Sequence, residues 1–139
     1  MNEVTGKEFT HLKIHTQYSI CEGALRTSDL AKYCKTNKIK AVGLCDSNNL
    51  CGALDFSENI AKSKTQPIIG TQINIEYKGN FGKIPLFAKN LEGYKNLIKL
   101  SSKSFLGIKN DEEPHCKIED IEKDHKGLIL LTGSLDGLI

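Results

Sequence analysis

The sequence predicts an α/β fold with one antiparallel hairpin. Three observations predict it. Two continuous apolar runs, Ala41–Cys45 (AVGLC) and Gly127–Thr132 (GLILLT), have the length and composition of buried strands. Amphipathic helical patterns separate them, the longest running from Leu91 to Leu106. A turn signal, Lys78-Gly79-Asn80, joins two stretches that read as strands.

The elements follow in order. His11–Thr16 (HLKIHT) alternates Leu12 and Ile14 with polar neighbours, which predicts a short strand. Gln17–Gly23 is small and polar, as a loop would be. Thr27-Ser28-Asp29 offers a hydroxyl cap followed by an acid in the first turn, so a helix is expected to about Asn37, with Leu30, Ala31 and Cys34 inward. The strand Ala41–Cys45 ends at the loop-forming cluster Asp46-Ser47-Asn48-Asn49. A helix over Ala53–Ser63 places Ala53, Phe56, Ile60 and Ala61 on one face. Pro67–Tyr77 is the outgoing strand of the hairpin and Ile84–Ala88 its return. The helix Leu91–Leu106 turns Tyr94, Leu97, Ile98 and Phe105 inward. Asn110–Pro114 is an acidic loop with His115 at the surface, and Ile118–His125 is a short amphipathic helix. At its end His125 faces the helix's partly negative terminus. Gly127–Thr132 is the last buried strand. This alternation is an α/β order.

Composition excludes several functions. The chain has 139 residues, 39% hydrophobic and 26% charged, a size that suggests one domain. The formal charge is only +2, and Arg26 is the single arginine, so net charge by itself implies neither a nucleic-acid nor a membrane partner. No stretch approaches the roughly 18 apolar residues of a membrane span. Met1–Thr10 has no apolar signal core, so a cytoplasmic location is expected. Five cysteines without a framework spacing read as reduced thiols, with Cys34 and Cys45 as small core residues and no structural zinc site. Lys95, Lys99 and Lys103 recur every four residues and read as a solvated helix face rather than a nucleic-acid stripe. No phosphate loop and no nucleophile elbow is present.

The chemistry-bearing residues gather early: His11, His15 and Glu22, with Asp46 at the end of the next strand. Side chains at the carboxyl ends of parallel strands converge, so His15 and Asp46 are expected to meet. Imidazole and carboxylate suit zinc or manganese. Spacing alone leaves a second reading open, in which both histidines merely satisfy local hydrogen bonds.

Five segments in order, HLKIHTQYSICEGAL, GLCDSNNLCGALDF, PIIGTQINI, PLFAKNLEGYKNLIKLSSKSF and KGLILLTGSLDGLI, resemble the amino-terminal PHP domain of bacterial DNA polymerase III alpha subunits. The resemblance runs through essentially the whole chain. It implies the amino-terminal portion of a distorted, TIM-like (β/α) barrel whose strand ends hold a metal cluster in active members. It places Ile139 just after a barrel strand, inside the domain, so a fragment with unpaired strand edges is expected. The residues then depart from the family's ligand set. The second histidine of its His-x-His is His15, but the first falls at Lys13. Its acid is kept as Glu22. Its Thr-Asp-His keeps Asp46 but has Ser47 for the histidine. Its glutamate falls at Gln72, and its histidine before the returning strand falls at Lys83.

Lysine cannot ligate while protonated and repels a divalent cation. The resemblance therefore implies a degenerate site with His15, Glu22 and Asp46 as vestigial ligands, no catalytic residue and no resident cofactor, held by internal ion pairs such as Lys13 with Glu22 or Asp46. It further implies a parent DNA-directed DNA polymerase that uses Mg and contacts DNA through its full-length chain. Its palm carboxylates lie beyond residue 139, and a proofreading exonuclease subunit docks on this module. The alternative is a Zn- or Mn-dependent PHP phosphoesterase or nuclease that uses those three ligands.

Overall fold

The computed structural model describes residues 9–109, 111–133, 135 and 137. The expectations for Met1–Glu8, Asn110 and Ile139 lie outside the described residues. Nine elements follow one another: α1 (Thr27–Thr36), β1 (Ala41–Ser47), α2 (Ala53–Lys62), β2 (Gln66–Tyr77), β3 (Asn80–Ala88), α3 (Leu91–Leu106), β4 (Cys116–Lys117), α4 (Ile118–Asp124) and β5 (Leu128–Leu130).

The long strand β2 is the spine of a mixed sheet. Gln66 to Gln72 pair in parallel with β1, and Gly70 to Tyr77 pair antiparallel with β3. The hairpin turn stands at Lys78-Gly79, both with positive φ. β5 pairs antiparallel with β3, so it runs in the direction of β1 and β2. Alternation sorts the faces. Val42, Leu44, Ile73, Ile75, Ile84 and Leu86 are buried on one face, under the helices. On one side they meet Leu30, Cys34, Phe56 and Ile60 of α1 and α2; on the other, Leu97, Leu100 and Ile121 of α3 and α4. The opposite face carries Ser47, Gln72, Asn74 and Lys83, aligned by the pairs Ser47↔Gln72 and Asn74↔Lys83.

Several expectations are corrected. His11–Thr16 is not a strand; only isolated parallel bridges form, Ile14 to Leu44 and Thr16 to Leu25. Its His11 and Ile14 carbonyls accept the Gly43 and Cys45 N–H groups at 2.7 and 2.8 Å, an edge contact with β1 without a regular ladder. Thr27 is not the cap of α1. Arg26 holds that position, while the Thr27 hydroxyl donates to Asp55 of α2. Ala61 is exposed. On α3 the buried stripe runs through Gly93, Asn96, Leu97, Leu100 and Ser104, and it leaves Ile98 and Phe105 at 43% and 51% exposure. His115 is half-buried, edge-on to Phe81 at 5.1 Å. β5 is not buried: Ile129 and Leu130 are exposed, because only one of its edges is paired among the described residues. β4, a two-residue strand parallel to β2, was not foreseen.

Cys34, Cys45 and Cys116 are core residues, whereas Cys21 and Cys51 are exposed. Burial raises the Cys34 thiol and pushes Cys45 up to about 12 and Cys116 up to about 11. Two lysines of α3, Lys99 and Lys103, are committed locally. Lys99 Nζ lies 3.3 Å from Asp124, and Lys103 bonds Asp120. Burial raises Asp120, but the Lys103 hydrogen bond, the Lys117 N–H and nearby lysine charge outweigh it and hold the carboxyl below its ordinary value. His125 Nδ1 sits 2.6 Å from the Glu122 carbonyl, at the negative end of α4. Among the described residues, no helix is long and apolar enough to cross a membrane.

Candidate functional site at the strand ends

The site forms where β1 runs out and the loop after Thr16 folds back over it. Asp46 is fully buried, and three donors point at its two oxygens. The Thr16 N–H donates to Oδ1 at 2.6 Å, the Thr16 hydroxyl to Oδ2 at 2.8 Å and the Ser19 hydroxyl to Oδ1 at 2.6 Å. A carboxylate accepts at both oxygens, so it suits three converging donors. Gly52 keeps this corner tight, since a Cβ there would lie 2.5 Å from the Tyr18 ring and 3.2 Å from Asp46 Oδ2.

Ser19 links this buried anchor to the open cleft. Its oxygen lies 3.4 Å from His15 Nδ1 and accepts the Ser47 N–H at 3.2 Å. His15 Nδ1 is 3.6 Å from Glu22 Oε2 and 3.5 Å from the Ser47 hydroxyl. That hydroxyl donates to Glu22 Oε2. The other Glu22 oxygen faces Lys83 Nζ at 3.7 Å. The cleft encloses about 330 Å³ and is lined by Glu22, Ser47, Gln72 and Lys83 together with Asn48, Asn74, Glu113 and Pro114. Gln72 is 3% exposed, and its Oε1 accepts no hydrogen bond among the described residues.

All three sequence-predicted ligands therefore come to one corner, but they do not form one ligand set. Asp46 is turned into the Thr16–Ser19 loop, and Glu22 is held by Ser47 and Lys83. Among the described residues, no group of three or more His, Cys, Asp or Glu side chains is placed to hold a metal ion. His11 stays outside, exposed and edge-on to Phe9 at 4.7 Å. The expected ion pair from Lys13 is corrected: the cation at Glu22 is Lys83, which stands inside β3 opposite Asn74 rather than ahead of the strand. Thr16 and Ser19 were not foreseen. A buried acid ending a strand needs donors, and the two hydroxyls of the loop were the available signal.

The Ser47 hydroxyl does most to lower the Glu22 carboxyl. Burial opposes it, and the charges of Lys83 and His15 add to the lowering. The folded value thus lies below the unfolded one, so the linked stability is present above the ordinary value of 4.5 and is lost as pH falls through the depressed value. Glu22 is 41% exposed, so solvent screens the effect. Lys83→Met is expected to shrink the stability lost between about pH 6 and pH 3, read by urea unfolding at each pH. An acid limb identical to that of the unaltered chain contradicts the assignment.

This sheet, with helices on one face and polar strand-end residues on the other, has a PHP-type (β/α) architecture. The sequence model of the PHP domain matches residues 11–139, and the chain belongs to that family. It is 42% identical over 135 residues to the DNA polymerase III subunit alpha of Rickettsia prowazekii (strain Madrid E), covering 95% of this chain and 11% of that protein. It is 35% identical over 145 residues to the DNA polymerase III subunit alpha of Caulobacter vibrioides (strain NA1000 / CB15N), covering 99% of this chain and 13% of that protein. The chain thus spans about a tenth of the length of the curated relatives it matches. Among solved structures, an amidohydrolase from Chromobacterium violaceum shares the fold, with a TM-score of 0.52 at 13% identity over 68% of this chain and 34% of that one.

Proposed function

We propose that this chain is the amino-terminal PHP module of a replicative DNA polymerase III alpha subunit working in the cytoplasm. Within it the module braces the polymerase and docks a proofreading exonuclease subunit, and it does no chemistry itself. DNA-directed DNA synthesis, with its Mg, belongs to the remainder of that longer protein, which is also where DNA is engaged for synthesis. The similarity to the alpha subunits supports the first part of this reading. The observation that supports a module without chemistry of its own is the Lys83 ammonium against Glu22 in the strand-end cleft.

The donor set does not fit the metal cluster of active PHP members. Lys13 and Lys83 bring positive charge, Ser47 and Gln72 are neutral, and both oxygens of Asp46 already accept hydrogen bonds. Among the described residues, the Gln72 carbonyl oxygen is the only buried side-chain acceptor without a partner, and one neutral oxygen is a poor site for zinc or manganese. The ion pair and the hydroxyl bonds take over the cohesive role that bridging cations would have.

The test mixes the chain with the exonuclease subunit of the same organism and follows both by gel filtration. Co-elution is expected. Independent elution, together with Mn-dependent hydrolysis of a phosphodiester that is lost in His15→Ala, favours the phosphoesterase reading instead.

A further inference from the structure

At the opposite end of the sheet from this cleft, where β1 and β2 begin, five lysines surround a cavity of about 440 Å³: Lys35, Lys38, Lys40, Lys62 and Lys64. Their charge exceeds the formal +2 of the whole chain, so positive charge is concentrated here. The cavity is built by two copies of one turn. In α1, Ile39 N–H donates to Cys34 O at 3.0 Å and Lys38 N–H to Lys35 O at 3.4 Å. In α2, Thr65 N–H donates to Ile60 O at 3.3 Å and Lys64 N–H to Ala61 O at 2.9 Å. This is the Schellman closure, and its left-handed position is usually glycine. Here both positions are lysine, with φ of 52° for Lys38 and 62° for Lys64. The Thr65 hydroxyl bonds Ile39 O at 2.9 Å and Gln66 N–H bonds Lys40 O at 2.8 Å, so the two turns are fastened together.

Local stabilisation accounts for only part of this charge. Lys35 and Lys62 lie in the last turns of α1 and α2, where cations complement the helix ends. Lys62 also reaches Glu58 at 4.0 Å. Lys38 and Lys64 lie past the helices, and among the described residues no carboxylate pairs with either. We infer that this lysine cleft binds the phosphodiester backbone of duplex DNA without regard to sequence. A small anion engages one or two ammonium groups, whereas several on two fastened turns present a block of positive charge complementary to a polyanion. The cleft offers neither arginine nor an aromatic ring, so it has no means of base readout or stacking.

The test is fluorescence anisotropy of a labelled duplex of about 20 base pairs, titrated with the full 139-residue chain between about 50 and 200 mM salt. Three or four phosphate contacts give a slope of log affinity against log salt of about −3. Lys38→Asn with Lys64→Asn suits the left-handed backbone, so folding is preserved. It is expected to reduce that slope by about 2 and to weaken binding at least about tenfold at the lowest salt. Lys78→Asn, at the equally left-handed hairpin turn outside the cleft, is expected to change neither. No saturable binding at the lowest salt, an unchanged affinity in the double variant, or an equal loss in Lys78→Asn overturns the inference. So does binding to phosphatidylserine vesicles without binding to DNA.

Discussion

Asp46→Ala is expected to lower the stability of the chain by about 3 to 4 kcal/mol in urea unfolding, since each buried group stranded without its partner costs on the order of 1 kcal/mol or more. The Thr16 N–H, the Thr16 hydroxyl and the Ser19 hydroxyl all lose their acceptor, at positions 0% and 1% exposed. Asp46→Asn is expected to cost less, about 2 kcal/mol, because the amide keeps one accepting oxygen but presents N–H groups to a remaining donor. Thr16→Val should cost about 1 kcal/mol or slightly more, as it removes one donor and preserves shape. The ordering matters more than the sizes. Were Asp46 kept only as a relic of metal binding, both changes at Asp46 and the one at Thr16 would be near-neutral. Near-neutral Asp46→Ala would remove Asp46 from the folding argument.

Gly93→Ala is expected to cost about 3 kcal/mol or more, although alanine is the better helix former by about 1 kcal/mol. A Cβ at Gly93 would stand 1.8 Å from the carbonyl oxygen of Gly127, a backbone atom that cannot swing aside. That carbonyl accepts the Lys89 N–H at 2.8 Å, and the adjacent Lys126 carbonyl accepts the Asn96 side chain at 2.9 Å. The Asn90 side chain caps α3 by accepting the Gly93 N–H at 2.9 Å. Gly127 itself has φ +71°, and a Cβ there would meet Asn90 Oδ1 at 2.3 Å. Forcing the two backbones apart dislodges the turn that launches β5 and loosens the cap of α3 together. For a chain of this size the loss corresponds to a Tm fall of about 10 °C. Gly79→Ala is the contrast: φ is +79° but nothing lies within 4 Å, so only about 1 to 2 kcal/mol of backbone strain is expected. Equal effects at the two glycines would mean that α3 does not seat on Gly127 as described.

Much of the fold was legible in the sequence because local signals and burial agree. The run Ala41–Cys45 is apolar throughout because β1 is buried almost end to end. The hairpin was legible because Lys78-Gly79 supplies the left-handed turn it needs. What misled was tertiary. Ile98 and Phe105 fit a helical stripe, but the buried stripe of α3 is centred on Leu97 and Leu100 and takes in Gly93, Asn96 and Ser104, which turns them outward. Leu128–Leu130 reads as a buried strand because its composition is apolar, while among the described residues it pairs on one edge, with β3.

The site was half legible. The resemblance brought His15, Glu22 and Asp46 to one corner, and substitution by lysine foretold an internal ion pair. Which of Lys13 and Lys83 forms it was not readable, because Lys83 meets Glu22 from a different element, where the register of β3 on β2 places it. Nor could a net charge of +2 reveal the lysine cleft, since a sum carries no positions.

The central claim is that the strand-end corner is held by Lys83, the hydroxyls and Asp46 in place of a metal cluster. The most direct measurement is the metal content of the purified chain after equilibration with zinc and manganese and removal of free ions, paired with its Tm with and without a chelator. The account predicts well under one ion per chain and an unchanged Tm. Two or three tightly held ions per chain, with a Tm that falls when they are stripped, would contradict it.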